Sequence, residues 1–252
     1  MGKNEKKTLP ILYKDEHIVA IDKPAGIHVH PTRLSPGEDS CMRILRDQLN
    51  QWVYPVHRLD RATSGVVVFA LSSDVARKLQ NLFNSRTVKK YYLAVVRGWV
   101  PEKGEISAPL KENKTKEQVE AITKYIRLGK IDLPVAVGKF PSARYSLVWI
   151  TPITGRMHQI RKHFVHLRHP IIGDVQYGDG KHNRLFREEF GLHRLLLMAV
   201  ALEFPHPVND SLLTIQSPIP DDVMSFFQKV GWDMKVKNML ETLKRNDASL
   251  MG

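Results

Sequence analysis

The stretch His57-Arg58-Leu59-Asp60-Arg61-Ala62-Thr63-Ser64-Gly65 runs directly into the apolar segment Val66-Val67-Val68-Phe69-Ala70. An apolar run of this length, opened by a Thr-Ser-Gly turn, predicts a strand that is buried on both faces. In the extended chain before the turn, alternate side chains point to opposite sides, so Arg58 and Asp60 share one side and Leu59 points to the core. The sequence therefore places a carboxylate and a cation at the mouth of a buried strand.

Asp60 has two interpretations on this pattern alone. An isolated aspartate ahead of Thr63 often hydrogen-bonds the nearby backbone and closes a turn. The flanking cations Arg58 and Arg61 instead indicate an ionised carboxylate where a polyanion is drawn in. The buried strand that follows favours the functional interpretation, and the turn remains an alternative.

The charge of the chain indicates an anionic partner. Its 252 residues carry a formal net charge of +12, and the pI is near 9.7. Nucleic acid is the polyanion that such surfaces most often bind. The window 133–173 contains no Asp or Glu, which favours a surface that faces phosphates. Its basic residues are Lys139, Arg144, Arg156, Arg161, Lys162 and Arg168.

Residues 154–163 (TGRMHQIRKH) form a second constellation inside this window. If the segment is helical, His158, Arg161 and Lys162 fall on one face, three and four residues apart. Several cations on one face repel one another, so we expect an anion against them: RNA phosphate, the carboxylate of Asp60, or both. A solvated basic helix face is the simpler alternative.

A third signal is the pair Tyr91-Tyr92, which follows Lys90. Neighbouring side chains on a strand point to opposite faces, so we expect one tyrosine in the core and the other at a cleft. An aromatic ring beside a cationic surface is an arrangement that stacks nucleic-acid bases.

We expect neither a metal nor a cofactor. The window 133–173 holds four histidines, but no acid or thiol lies near them and the surrounding cations oppose a divalent ion. The sequence contains no Walker loop, dinucleotide fingerprint or nucleophile-elbow serine. Cys41 is the only cysteine and is expected to be a core thiol in a helix over 40–50.

Strands and helices mix without a strict βαβ rhythm, which predicts an α+β fold with a mixed or antiparallel central sheet flanked by helices. We expect one catalytic domain over 9–234, in two lobes that meet near the charged segment 111–118, with the active-site cleft between the lobes. Flexible termini are expected at 1–8 and 235–252. A signal peptide is not evident, and the longest apolar run, 195–202, is too short to span a bilayer, so we expect a soluble cytoplasmic protein.

Four motifs together resemble the RluA family of pseudouridine synthases. They stand in the family's order, cover residues 11–207 and read Lys23-Pro24-x-Gly26-x-x-Val29-His30, His57-Arg58-Leu59-Asp60-x-x-Thr63-Ser64-Gly65, Lys90-x-Tyr92-x-Ala94 and Thr154-Gly155-Arg156-x-His158-Gln159-Ile160-Arg161-x-His163.

The resemblance implies isomerisation of a uridine in RNA to pseudouridine. Asp60 would be the catalytic carboxylate, either attacking the sugar or removing a ribose proton. Tyr92 would pack on the target base and act in later proton handling, and Arg161 would pair with Asp60. Arg58 would enter the RNA where the target nucleotide has been swung out. Leu59 and Ile160 would pack beside the site, and the further candidates for RNA contact are His57, Arg144, Arg156, His158, Lys162 and Arg168.

Arg144-Tyr145 and the run 156–174 are most similar to the branch of the family that modifies the T-stem region of tRNA, and we expect no S4-type RNA-binding module. We therefore expect a monomer that acts on tRNA without membrane association. A family member acting on 23S rRNA, or on both RNAs, is the nearest alternative. A non-catalytic RNA-binding protein is the alternative from another class. Met198 stands where many relatives have His, and we expect it to pack.

Overall fold

The computed structural model describes residues 7–31, 39–112 and 115–245. Of the termini predicted to be flexible, 1–8 and 235–252, the parts 1–6 and 246–252 lie outside these residues. The strands are β1 Ile11–Lys14, β2 Ile18–Lys23, β3 Tyr54–Pro55, β4 Ser64–Ala70, β5 Lys89–Arg97, β6 Lys103–Ser107, β7 Leu110–Lys111, β8 Gln118–Val119, β9 Ile122–Leu133, β10 Ala143–Pro152, β11 Leu197–Pro205 and β12 Leu212–Gln216. The helices are α1 Cys41–Leu49, α2 Ser73–Asn84, α3 Gln159–His166, α4 Gly180–Phe190, α5 Asp221–Lys229 and α6 Asp233–Lys244.

The chain forms two compact units, and mostly antiparallel strands flanked by helices confirm the predicted α+β class. One unit contains the described residues up to Val88 together with Ala201–Pro218, and the other contains Lys89–Val200 and the described residues from Ile219. The predicted boundary at 111–118 is wrong, because both of its flanks belong to the second unit. In that segment β7 and β8 pair as a short hairpin, and its described charged residues are exposed to solvent. Residues 113–114 lie outside the described part of the chain.

In the first unit, β4 lies between β2 and the short β3. All seven β4 residues are buried, as the apolar run predicted. Apolar side chains of β2 and β4 pack with α2, β11 and β12 in one core cluster. Helix α1 matches the predicted helix over 40–50, and Ser72 caps the N-terminus of α2. Cys41 is buried in α1, where burial raises the pKa of its thiol to about 11.

The second unit is built on antiparallel strands in the order β5-β10-β9-β6. Trp232, just before α6, packs against β9 at Gly129, where an added Cβ would lie 2.6 Å from the indole nitrogen. The prediction that the chain frays from Lys235 is therefore wrong as far as Lys244, since α6 buries Val236 and Leu243. Among the described residues, no helix is long and apolar enough to cross a membrane.

Candidate active site

The segment before β4 has the alternation that the sequence predicts. Leu59 is buried, Asp60 is half-buried and Arg58 is exposed. The chain then turns through a backbone hydrogen bond of 3.1 Å from the Thr63 N–H to the Asp60 carbonyl. This backbone hydrogen bond closes the turn that follows Asp60.

His57 ties the segment to the strand that follows it. Its Nε2 accepts a 3.0 Å hydrogen bond from the Val68 N–H inside β4, so Nε2 carries no proton and the neutral ring has its proton on Nδ1. The ring stacks on Phe83 of α2 with 4.5 Å between centroids. His57 thus has a structural role in fixing the direction of Arg58 and Asp60, and its contact with RNA stays a prediction.

The Lys-Pro-x-Gly motif holds the other side of the Asp60 turn. Lys23 is fully buried, and its Nζ donates to the carbonyls of Pro24, Ile27 and Arg61 at 2.8, 2.8 and 3.1 Å. Arg61 also exchanges hydrogen bonds with Gly26, through Nε to the Gly26 carbonyl and from the Gly26 N–H to its own carbonyl, both at 2.8 Å. Gly26 has φ +90°, a conformation that favours glycine. These two hydrogen bonds to Gly26 therefore fix Arg61, the residue directly after Asp60.

In the second unit, a buried carboxylate holds Arg161. Arg161 lies on α3, and Nε and Nη2 of its guanidinium contact the two oxygens of Asp174 at 2.7 and 2.9 Å. The side chains are 7% and 1% exposed, so this is a buried bidentate ion pair. Burial by itself raises the pKa of Asp174, but the hydrogen bonds from Arg161 and the backbone N–H groups of Tyr177 and Gln176 hold that pKa below its ordinary value.

Tyr177 and His158 complete the setting of Arg161. The Arg161 Cζ lies 4.9 Å from the centre of the Tyr177 ring, within cation–π range. The Tyr177 hydroxyl lies 3.0 Å from Nδ1 of His158, whose φ is +54°. His158 precedes α3, so the prediction that it shares a helical face with Arg161 and Lys162 is wrong.

The helix starts late because Gln159 organises the turn before it. The Gln159 side chain accepts hydrogen bonds from the Thr154 hydroxyl at 2.7 Å and the Arg156 N–H at 3.0 Å. Its amide nitrogen donates to the Ile122 carbonyl at 2.9 Å. These bonds tie residues 154–159 into a loop on β9 instead of a first helical turn.

Asp174 also corrects the expectation of an uncompensated cationic face. The carboxylate that neutralises Arg161 stands one residue beyond the acid-free window 133–173. His163 is likewise buried and structural, with Nδ1 2.9 Å from the Thr123 hydroxyl and Nε2 3.0 Å from the Ala108 carbonyl. Burial lowers the pKa of His163.

The other predicted residues occupy several places. Tyr91 is buried beside Trp149 and Tyr92 is half-buried, which confirms their opposite faces. Lys162 is half-buried on α3. The packing of Leu59 and Ile160 beside a site stays a prediction. The buried residues are Leu59, Ile160 and Met198, and the exposed cations are Arg58, Arg144, Arg156 and Arg168.

Sequence reasoning missed Lys23 as a buried clamp, and it missed Asp174 and Tyr177. A signal for Asp174 existed, since it is the first acid after a long cationic window. The structure gathers His158, Asp174 and Tyr177 around Arg161 in the second unit, while Arg58 and Asp60 belong to the first unit.

A family model described as RNA pseudouridylate synthase matches residues 17–166, more than half of the chain. The chain therefore belongs to the RNA pseudouridine synthases. These enzymes are isomerases, so the product has the same atomic composition as the substrate. It is 47% identical over 236 residues to tRNA pseudouridine synthase C of Vibrio parahaemolyticus, covering 89% of this chain and 96% of the relative. The protein of the same name from Haemophilus influenzae is 43% identical over 89% of this chain and 99% of its own length.

Solved structures agree on the fold. Human RNA Pseudouridylate Synthase Domain Containing 4 superposes with a TM-score of 0.68 at 26% identity, covering 87% of this chain and 92% of the human one. Human RNA Pseudouridylate Synthase Domain Containing 1 gives the same TM-score at 25% identity, covering 87% of each chain.

Proposed function

We propose that this protein converts one uridine of tRNA, in the T-stem region, to pseudouridine, with Asp60 as the catalytic carboxylate. The observation that carries the proposal is the half-buried Asp60 beside the exposed Arg58, on a segment held from both sides by His57 and Lys23. The choice of tRNA is supported by relatives named tRNA pseudouridine synthase C, which are 43–47% identical over most of this chain. We further propose that the protein acts on tRNA as a monomer in the cytoplasm.

The reaction breaks the bond between N1 of uracil and C1′ of ribose and forms a bond from C5 to C1′. The C5 hydrogen leaves to solvent and N1 gains a proton, so the atoms balance without a co-reactant. The freed uracil must stay bound and rotate, which favours a site that excludes water. Asp60 acts at the ribose, and Tyr92 packs on the base and handles the later proton transfer.

Access to the glycosidic bond requires the target nucleotide to leave the RNA stack, at a cost of a few kcal/mol. The exposed Arg58 is suited to fill the gap that the nucleotide leaves. Stacking of the flipped base on Tyr92 would return about 1–3 kcal/mol. The roles of Arg58 and Tyr92 are therefore complementary, one in the RNA and one on the base.

Arg161 takes the role of the arginine that pairs with Asp60 in the family. The support for this role is that Asp174 and Tyr177 fix the position of its guanidinium before any substrate binds. A guanidinium of fixed position can stabilise a carboxylate without the cost of ordering a long side chain. Arg156, His158, Lys162 and Arg168 remain candidates for contacts with RNA phosphates.

Two measurements test this function. Purified protein is given tRNA and 23S rRNA transcripts labelled with tritium at C5 of uridine, and released tritium is counted. Pseudouridine is then mapped in total RNA from cells with and without the gene for this protein. We expect release from tRNA and loss of one T-stem pseudouridine. A lost 23S rRNA site instead would transfer the proposal to rRNA, and binding without release would indicate a non-catalytic RNA-binding protein.

A further inference from the structure

A surface of the second unit that the proposed chemistry does not use combines an exposed tryptophan with a cluster of cations. We call it the Trp99 surface; its residues are Trp99, Lys130, Asp132, Arg144 and the hairpin tip Gly138–Phe140. The Arg144 Cζ lies 4.4 Å and the Lys130 Nζ 5.1 Å from the centre of the Trp99 ring. Trp99 is 38% exposed, and Phe140 at the tip is 60% exposed.

Strand register explains why these cations gather. Antiparallel β9 and β10 place Arg144 opposite Asp132 and Ser146 opposite Lys130, so the side chains of these residues share one face of the sheet. The Trp99 indole N–H donates to the Ile131 carbonyl at 3.0 Å, which fixes the ring over that face. Both cations therefore have a defined position on a rigid element.

The charge balance of this surface favours an anion. Arg144 pairs with Asp132 at 3.3 Å, but both side chains are exposed, so the pair contributes at most about 1 kcal/mol. Lys130 adds a second cation on the same ring, and its charge repels that of Arg144. A single carboxylate thus faces two cations among these residues.

The hairpin tip adds further positive charge. Val137 and Phe140 bridge across the turn Gly138-Lys139, and the Lys139 Nζ lies 5.5 Å from the centre of the Phe140 ring. A Cβ built on Gly138 would lie 3.5 Å from the Nζ of Lys181, so α4 brings another cation to the tip. The tip therefore continues the cationic surface along the hairpin.

We propose that the Trp99 surface binds the phosphate backbone of the tRNA substrate, a role that rests on the proposed function. The Arg144 guanidinium lies over the Trp99 ring and its Nε donates to Asp132, so its two Nη groups are suited to bind phosphate oxygens. Lys130 and Lys139 provide further point charges, and the exposed ring of Phe140 can lie against ribose or an unpaired base. These contacts supply affinity and take no part in the isomerisation.

The test measures tRNA affinity by fluorescence anisotropy between 50 and 200 mM NaCl. The double variant Lys130→Ala/Arg144→Ala should raise Kd about tenfold and lower the salt slope by about two, since two phosphate contacts are lost. Asp132→Asn should tighten binding, because it removes the only carboxylate described on this surface. Lys229→Ala is the matched control and should change neither quantity, since Lys229 on α5 is another cation over an aromatic ring, 5.0 Å from the centre of the Phe190 ring of α4.

Single-turnover tritium release at saturating protein separates affinity from chemistry. The double variant should keep the maximal rate and need more protein to reach it. If the double variant has the same Kd and salt slope as the Lys229→Ala variant, the proposal is overturned. That result would also be obtained if the Trp99 surface binds another protein instead of tRNA. Wild-type protein that binds tRNA through these residues but releases no tritium from it would refute the proposed function. The role of the Trp99 surface in tRNA binding would still be supported.

Discussion

The segment around Asp60 and the setting of Arg161 hold their key residues in different ways. Backbone groups hold the Asp60 segment: Lys23 binds three carbonyls, and His57 accepts from the Val68 N–H. Side chains hold Arg161: a buried carboxylate and a tyrosine ring fix the guanidinium. Hydrogen bonds to backbone groups fix the direction of the Asp60 segment, whereas an ion pair with a second side chain fixes the position of the Arg161 guanidinium.

Substitutions in the two regions should therefore destabilise the protein in different ways. A substitution at Asp174 removes a partner of Arg161 directly and leaves a buried charge behind. A substitution at Lys23 leaves backbone carbonyls without their donor and loosens the turn after Asp60. We therefore expect side-chain support to be the more sensitive of the two.

Asp174→Asn should have the larger effect on stability. Removing one charge of a buried pair costs about 3–5 kcal/mol, and a displaced guanidinium should lower the rate of tritium release about 100-fold. Urea unfolding and single-turnover assays measure the two effects. The control Asp74→Asn removes a partner of Arg77 in a pair whose side chains are 76% and 80% exposed, and should leave both nearly unchanged. Equal stabilities of the two variants would contradict the role of Asp174.

Lys23→Met should have an intermediate effect. The Pro24, Ile27 and Arg61 carbonyls lose the Nζ donor, which should cost about 1–3 kcal/mol and reduce turnover about tenfold. Lys78→Met on the exposed face of α2 is the matched control and should change the free energy of unfolding by less than about 0.5 kcal/mol. A Lys23→Met variant as stable and active as this control would show that the backbone clamp is unnecessary.

The smallest effect concerns pH. Burial lowers the pKa of His163 in the fold, so the unfolded chain binds more protons as the pH falls below about 6.5. The stability that His163 contributes is therefore present above that pH and declines between pH 7 and 5. His163→Asn should flatten the pH dependence of the urea midpoint, while His182, whose pKa burial also lowers, retains its share. An unchanged pH profile would mean that His163 does not contribute.

The parts of this protein that sequence predicts are those set by local chemistry. The helix predicted over 40–50 forms as α1, and the apolar run before Leu71 is a buried strand. The alternation at Arg58-Leu59-Asp60 follows from extended backbone and needs no distant partner.

The parts that sequence did not predict depend on distant contacts. Asp174 meets Arg161 from 13 residues away, and Gln159 reaches back to β9, which delays the start of α3. Helix α6 exists because Val236 and Leu243 are buried, although its sequence resembles a polar tail. The charge of segment 111–118 indicates exposure to solvent, but it does not mark a boundary between the two units.

The assignment of Asp60 as the catalytic carboxylate is tested by measuring both tritium release and tRNA affinity of the Asp60→Asn variant. Asp210→Asn is the matched control: it lies in the same unit, is exposed and has φ +59°, a conformation that asparagine tolerates. We predict that Asp60→Asn folds, binds tRNA as tightly as wild-type protein or tighter, and releases no measurable tritium, while Asp210→Asn releases it at the wild-type rate. Full release by Asp60→Asn would contradict the assignment of Asp60 as the catalytic carboxylate.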